Sequence, residues 1–177
     1  IFRQGKPALC GDLDPPKPVL DKVKDLGCEF FLRGREFNLE IGNQHWQWLG
    51  RDARGEVVEL FDLPLLSLPM ENAALALQAY LLLDISWNPE QIATTLRDTR
   101  MIGRMDRREL ELGGTPLNLF MDVGHNPHAA EYLAQRLSRT PPAGRRLAVF
   151  GLLADKDLCG VVAPLLGSIQ SWAVAPL

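Results

Sequence analysis

Hydrophobic spacing changes character near Arg100, and the change divides the chain into two regions. In the first, short apolar runs are mixed with helical stripes. Residues 7–10 predict a short apolar strand ending in Gly11-Asp12. After Pro15-Pro16 the pattern switches to a helix over about 17–26, with Val19, Leu20, Val23 and Leu26 on one face. Residues 28–32 form a second apolar run, expected as a parallel strand. Residues 46–49 and 56–61 alternate around Arg51-Asp52-Ala53-Arg54-Gly55, which predicts a β-hairpin. A proline-punctuated connector over 63–69 leads to a helix over 71–83 that is apolar almost all round, hence a core helix. Asn88-Pro89 restarts a helix to about residue 97, with Asn as cap and Pro at the first helical position.

Beyond Arg100, residues 104–112 and 117–122 predict strands joined by Gly113-Gly114-Thr115-Pro116. From 117 onward the pattern is strand 117–122, helix 128–138, strand 147–150, helix 158–166 and strand 172–175. Such alternation predicts a parallel sheet with crossover helices. The fold class is α/β, with two domains over 1–99 and 100–177. The segment from Met121 to Ala130 is the most informative. Leu117, Leu119, Phe120 and Met121 read as the end of a buried strand, and Gly124 permits a sharp turn. Asn126 is a good N-cap, Pro127 suits the first helical position, and Ala129/Ala130, Leu133/Ala134 and Leu137 form one apolar stripe. Asp122 and His125 thereby sit at the carboxyl end of a strand, where open α/β sheets bind ligands.

Composition narrows the function classes. The 177 residues are 46% hydrophobic and 23% charged with a formal net charge of −3, an ordinary globular balance without the basic excess of nucleic-acid domains. Arginines 97, 100, 107 and 108 read as solvated, and Arg104 alone is set apart from that cluster. Cys10, Cys28 and Cys159 are odd in number, widely spaced and without a CxxC pair, which suits reduced thiols in the cytoplasm. No apolar stretch approaches the roughly 18 residues of a membrane span, and no signal-peptide pattern is present. The start on Ile1 and the stop at Pro176-Leu177, just after a strand-like run, read as the ends of an internal fragment.

Several residues are candidates for chemistry. Asp122, at a strand end, is placed to accept hydrogen bonds from both hydroxyls of a ribose; the alternative is a carboxylate that stabilises its own turn. His125 is either a ligand contact or a turn histidine bonded to the backbone. Arg104 follows Gly103 at the joint between the regions, where its forked guanidinium could reach a triphosphate on closure; otherwise it is a surface arginine. Asn72 begins the apolar helix and is either its N-cap or a planar amide suited to a purine edge. Asp155-Lys156-Asp157 precedes a helix, with Asp157 as cap or ligand and Lys156 as a cation suited to a carboxylate. His125 and His128 are not a metal pair, since no HExxH or carboxylate cluster accompanies them. Gly5-Lys6-Pro7 is not a phosphate-binding loop, lacking the upstream glycine and the following Ser/Thr.

The Asp122-Val123-Gly124-His125-Asn126-Pro127-His128-Ala129-Ala130 string resembles the turn that opens the carboxy-terminal domain in the folylpolyglutamate synthase/dihydrofolate synthase branch of the Mur ligase superfamily. Residues 3–12 resemble its central-domain strand, Leu68-Pro69-Met70-Glu71-Asn72-Ala73-Ala74 its L-P-x-x-N-A-A helix start, and Gly103-Arg104 its Gly-Arg junction. Gly151-Leu152-Leu153-Ala154-Asp155-Lys156-Asp157 resembles its G-x-L-x-D-K-D loop, in the same order along the chain. The segment 104–122 is longer than in familiar members, a difference that a hairpin tip can absorb. By resemblance, residues 1–99 are the tail of a Mur-ligase-type central ATPase domain and 100–177 a truncated, small Rossmann-like ligase domain.

The resemblance implies ATP contacts from Asn72, Arg104, Asp122 and His125, and glutamate contacts from Lys156 and Asp157. It implies no protein nucleophile and no metal ligand within the chain. ATP, Mg²⁺, L-glutamate and dihydropteroate or a folate would be the ligands, with the phosphate loop and metal ligands outside these residues. The implied enzyme is a cytoplasmic, monomeric amide ligase, with no nucleic-acid or membrane partner, and the fragment alone is expected to be inactive. The alternatives are a cell-wall Mur ligase acting on UDP-muramyl precursors and a nucleotide-binding module without catalysis.

Overall fold

The computed structural model describes residues 2–83, 85–140, 142 and 144–176; Ile1 and Leu177, where the two expected domains begin and end, lie outside them. The chain divides into two compact α/β units, Ile1–Met101 and Ile102–Leu177.

In the first unit, β1 (Ala8–Cys10) and β2 (Phe30–Leu32) pair in parallel, joined through α1 (Lys17–Asp25). Strands β3 (Asn38–Ile41), β4 (His45–Arg51) and β5 (Val57–Pro64) form an antiparallel sheet with β4 in the centre. The hairpin around residues 51–55 is as the alternation predicts; β3 has no counterpart in the sequence reading. Helices α2 (Met70–Leu81) and α3 (Pro89–Asp98) complete the unit. The core gathers Phe31, Phe37, Trp46, Trp48, Leu63 and Met70, with Ala74 and Leu77 arriving from α2.

Helix α2 is not buried all round, contrary to its composition. Met70, Ala74, Leu77 and Gln78 line the buried face, whereas Asn72, Ala76 and Ala79 are exposed. Alanine on the outer face makes the helix look apolar without requiring burial. The buried exception is Gln78, wholly inaccessible, whose amide donates to the Arg51 carbonyl at 2.6 Å and accepts from the Arg51 N–H at 3.3 Å. Arg51 lies two residues beyond Leu49, which pairs with Asn38 at the start of β3. Past that point the Gln78 side chain supplies a donor and an acceptor in place of a strand. Trp48 Nε1 donates to the Ala74 carbonyl at 3.1 Å and ties the same two elements together. Gly50 leaves room for this arrangement, since a Cβ there would overlap the Trp48 ring.

In the second unit, β6 (Asp106–Leu112) and β7 (Thr115–Met121) form an antiparallel ribbon turning through Gly113-Gly114. Both glycines have positive φ, 57° and 78°, as tight two-residue hairpin turns require. Then follow α4 (Pro127–Ser138), β8 (Leu147–Phe150), α5 (Leu158–Val162) and β9 (Ser171–Val174). β8 and β9 pair in parallel across α5, and Phe150 meets Trp172 edge to face at 5.7 Å. Ala130 and Leu137 of α4 pack on Val161 and Leu165, as the stripe on α4 predicts.

Three expectations fail here. β7 is not a strand of the parallel sheet; its ladder partner is β6 alone, in a separate two-stranded ribbon. Nor is it buried, all seven of its residues being exposed. An apolar run marks a strand, but the ribbon's faces receive no covering layer among the described residues. The helix expected over 158–166 stops at Val162 and tightens into a 3₁₀ turn over Ala163–Leu165, because Pro164 has no N–H to continue the α-helical ladder. The first strand also starts later than predicted, at Asp106, since Gly103 and Met105 both have positive φ and break the extended run. Among the described residues, no helix is long and apolar enough to cross a membrane.

Replacing Gln78 with the near-isosteric Leu removes the partners of the Arg51 N–H and carbonyl, which are partly shielded from water. The expected cost is about 2–4 kcal/mol, read as a lowered urea midpoint, whereas Gln91→Leu, at an exposed glutamine, costs under about 1 kcal/mol. Equal midpoints for the two variants would refute the role given to the Gln78 amide.

Candidate functional site

The turn after β7 is held by one carboxylate. Asp122 Oδ1 accepts from the Gly124 N–H at 2.7 Å and Oδ2 from the Met105 N–H at 3.0 Å, a residue 17 positions earlier. Beside this bond, the Val123 N–H donates to the Gly103 carbonyl at 2.8 Å. The two segments that bracket the ribbon are thus laced together at its base. Gly103 adopts φ 72°, and a Cβ there would press on Val123 at 2.9 Å. Met105, with φ 46°, adopts a left-handed conformation without being glycine, so its bond to Asp122 offsets backbone strain.

Arg104 lies between those two left-handed residues. Its Nη1 stands 3.6 Å from Asp122 Oδ1, with the Arg104 side chain 40% exposed and that of Asp122 only 16%. At that distance the pair is electrostatic rather than hydrogen-bonded, and partial exposure keeps it weak. Each carboxylate oxygen accepts one backbone N–H and retains a second lone pair. The turn-stabilising reading of Asp122 is therefore present in the geometry, and it leaves acceptor capacity unused.

His125 is exposed, with Nδ1 3.2 Å from the Val123 carbonyl. In the tautomer that donates this bond, Nε2 is left as an acceptor. Asn126 caps α4 by accepting from the Ala129 N–H at 2.9 Å, as the sequence predicts. His128, in the first turn of α4, is exposed.

The 155–157 turn stands beside this one. Asp157 Oδ1 accepts from the Gly160 N–H at 2.9 Å and caps α5. A Cβ on Gly160 would stand 2.6 Å from Pro127 Cγ, so the starts of α4 and α5 abut. Lys156 Nζ pairs with Asp155 Oδ2 at 2.7 Å. That hydrogen bond, more than the charges of Lys156 and His125, holds the Asp155 carboxyl below the usual carboxylate range. Arg104, Asp122, His125, Lys156 and Asp157 all belong to the second unit.

Asn72 belongs to the first unit and is exposed. It does not cap α2: the cap position is Pro69, and Asn72 lies inside the first turn, its N–H donating to the Pro69 carbonyl at 3.1 Å. The residue missed by sequence reasoning is Met105, whose left-handed backbone no local signal announces in a non-glycine residue. Among the described residues, no group of three His, Cys, Asp or Glu side chains is placed to hold a metal ion. An open recess of about 350 Å³ in the first unit is lined by Glu40, Gly42, His45 and Asp62, and its lining includes none of the candidate residues.

The second unit, which carries this strand-end carboxylate, adjacent arginine and capped helix start, matches the family model of the Mur ligase glutamate ligase domain over residues 103–175. The similarity extends over the whole chain. It is 35% identical over 177 residues to the dihydrofolate synthase/folylpolyglutamate synthase of Escherichia coli strain K12, covering all of this chain and 40% of that protein. Its counterpart in Haemophilus influenzae is 32% identical over 97% of this chain and 41% of its own. The structure of Escherichia coli FolC in complex with DHPP and ADP superposes with a TM-score of 0.84 at 34% identity, over 97% of this chain and 39% of that one. A bifunctional folylpolyglutamate synthase/dihydrofolate synthase with Mn, AMPPNP and L-glutamate bound gives 0.83 at 33% identity, over 99% of this chain and 40% of that one. Residues 103–175 belong to the Mur ligase glutamate ligase domain family, and the chain as a whole is similar to dihydrofolate synthase/folylpolyglutamate synthases, spanning about 40% of the length of these relatives.

Gly160→Ala is expected to drive a methyl group into the Asp157 carboxylate that caps α5 and into the Pro127 ring, and to lower the stability of the second unit by about 1–3 kcal/mol. Gly167→Ala, where a Cβ meets nothing within 4 Å, is the control and should be near neutral. Thermal unfolding of the two variants tests the close packing of Gly160 against Asp157 and Pro127; coincident melting curves would refute it.

Proposed function

We propose that the complete protein is an ATP-dependent ligase that joins L-glutamate to dihydropteroate, to a folate already carrying glutamate, or to both. The observation that carries this is similarity along the whole chain to relatives solved with a DHPP ligand, an ATP analogue and L-glutamate. In the proposed reaction the γ-phosphoryl group of ATP passes to a substrate carboxylate, giving ADP and an acyl phosphate. The glutamate amine then attacks the carbonyl carbon, the bond to the phosphate oxygen breaks, and inorganic phosphate leaves. Positioning and charge stabilisation suffice for such steps, with no protein nucleophile.

In this reading residues 1–99 are the carboxy-terminal part of the central ATP-binding domain and 100–177 the ligase domain. Asp122 receives the ribose hydroxyls on the lone pairs its backbone bonds leave open, and Arg104 grips phosphate oxygens with its guanidinium fork. His125 contributes Nε2, and the Asn72 amide meets the purine edge. Lys156 faces the carboxylate of the incoming glutamate, and Asp157 offers the oxygen not used to cap α5. Mg²⁺ would balance the phosphate charge, held by groups other than these residues, which offer no cluster for it. The protein acts on small molecules as a cytoplasmic monomer, a reading consistent with free thiols at Cys10, Cys28 and Cys159.

ATP-dependent incorporation of L-glutamate by the complete enzyme tests the activity, with dihydropteroate, a folate and a UDP-muramyl precursor supplied in turn. Turnover of the muramyl precursor alone would assign the cell-wall branch, and ATP binding without any ligation would leave a non-catalytic module. For the site, Arg104→Ala and Asp122→Ala are each expected to lower kcat/KM for ATP by the equivalent of about 1.5–3 kcal/mol, the worth of a charged hydrogen bond. Wild-type kinetics in both folded variants would remove these residues from the nucleotide site.

A further inference from the structure

We propose that Asp122 is also the positioning residue for Arg104, so that sugar recognition and phosphate binding are one coupled device; this rests on the nucleotide-site reading above. Three observations meet at the carboxylate. Its Oδ2 accepts the N–H of Met105, the residue after Arg104, and so holds a left-handed backbone that a methionine does not adopt unaided. Its Oδ1 accepts the N–H of Gly124, which fixes the carboxylate on the β7–α4 turn. The same Oδ1 stands 3.6 Å from Arg104 Nη1, near enough to direct the guanidinium and too far to bind it tightly. Gly103, on the other side of Arg104, is locked by its carbonyl bond to Val123 and by its own left-handed φ. The direction in which Arg104 leaves the backbone is therefore set on both sides by the turn that Asp122 holds.

The physical consequence is an exchange. A neutral ribose hydroxyl that donates to the open lone pairs of Asp122 spreads the carboxylate's charge and weakens its hold on the guanidinium. Arg104 is then free to turn to a phosphate while its backbone stays clamped through Met105.

The test is a double-mutant cycle in the complete enzyme, read as kcat and KM for ATP. Arg104→Ala and Asp122→Ala are each expected to reduce kcat/KM roughly tenfold or more, and the double variant should be within about threefold of the worse single one. Multiplied losses in the double variant would mean that the residues act independently and would overturn the coupling while leaving the nucleotide-site reading intact. Wild-type kinetics in both single variants would instead defeat that reading itself. Should Asp122→Ala fail to fold, Asp122→Asn serves in the same cycle, since it retains the shape and one acceptor. A second measurement is the competitive inhibition constant of 2′,3′-dideoxy-ATP, which offers no sugar hydroxyl. If Asp122 serves only as a ribose contact, Asp122→Ala binds this nucleotide as wild type does. Loss of the positioning predicts an inhibition constant raised at least roughly threefold, an effect absent in the Arg104→Ala background.

Discussion

The carboxylate of Asp122 joins the base of the β6–β7 ribbon to the turn that leads into α4, and the geometry of the second unit around its candidate residues depends on that joint. An isolated two-stranded ribbon is marginal in water, and this one has no residue in the unit's small core. Its orientation must come from bonds at its root. The Gly103–Val123 backbone bond supplies one, and the two charge-assisted bonds to Met105 and Gly124 supply the others. Hydrogen bonds to a charged acceptor contribute about 1.5–3 kcal/mol each, more than neutral ones. That is enough to hold Met105 in a conformation costing on the order of 1–3 kcal/mol.

The first unit solves a similar problem with opposite chemistry. There, β4 outruns β3, and the exposed ladder is completed by the neutral amide of Gln78 inside the core. A buried amide with both of its backbone partners in place rigidifies without introducing a charge that would have to be desolvated. The two locks differ in what they leave over. Gln78 is inaccessible, and its bonds serve the fold alone. Asp122 keeps partial exposure, a formal charge and unused lone pairs, which are the properties that a ligand contact needs.

What was legible in the sequence was what acts over short range. Asn88-Pro89, Asn126-Pro127 and Asp157 each cap a helix through a bond reaching three residues ahead, and all three helix starts lie where those residues predict. The stripe from Ala130 to Leu137 likewise identifies its own buried face. What was not legible depends on partners distant in sequence. Asn38–Ile41 is short and half polar, and it becomes a strand only by pairing with β4. The apolar run in β7 identifies a strand but not what covers it, so its exposure could not be read. For the candidate site, the motifs single out Asp122, Arg104 and His125 as candidates, while the tether from Asp122 to Met105 spans 17 residues and has no local signature.

Structural and ligand-binding readings of these side chains are often set against each other, and the geometry here argues that they cooperate. A carboxylate free to rotate would have to be ordered on each binding event, at a cost in side-chain entropy. Asp122 is already fixed by two backbone N–H groups, so its remaining lone pairs have set directions. His125 is constrained in the same way: its Nδ1 contact with the Val123 carbonyl orients the ring, and in the neutral tautomer that donates this bond Nε2 is an acceptor. Asp157 spends one oxygen on the start of α5 and keeps the other. In each case the bond that stabilises the turn is also what preorganises the group. A substitution at these positions should thus disturb the fold together with any ligand contact the proposed site makes, and only the coupling between residues can separate the two contributions.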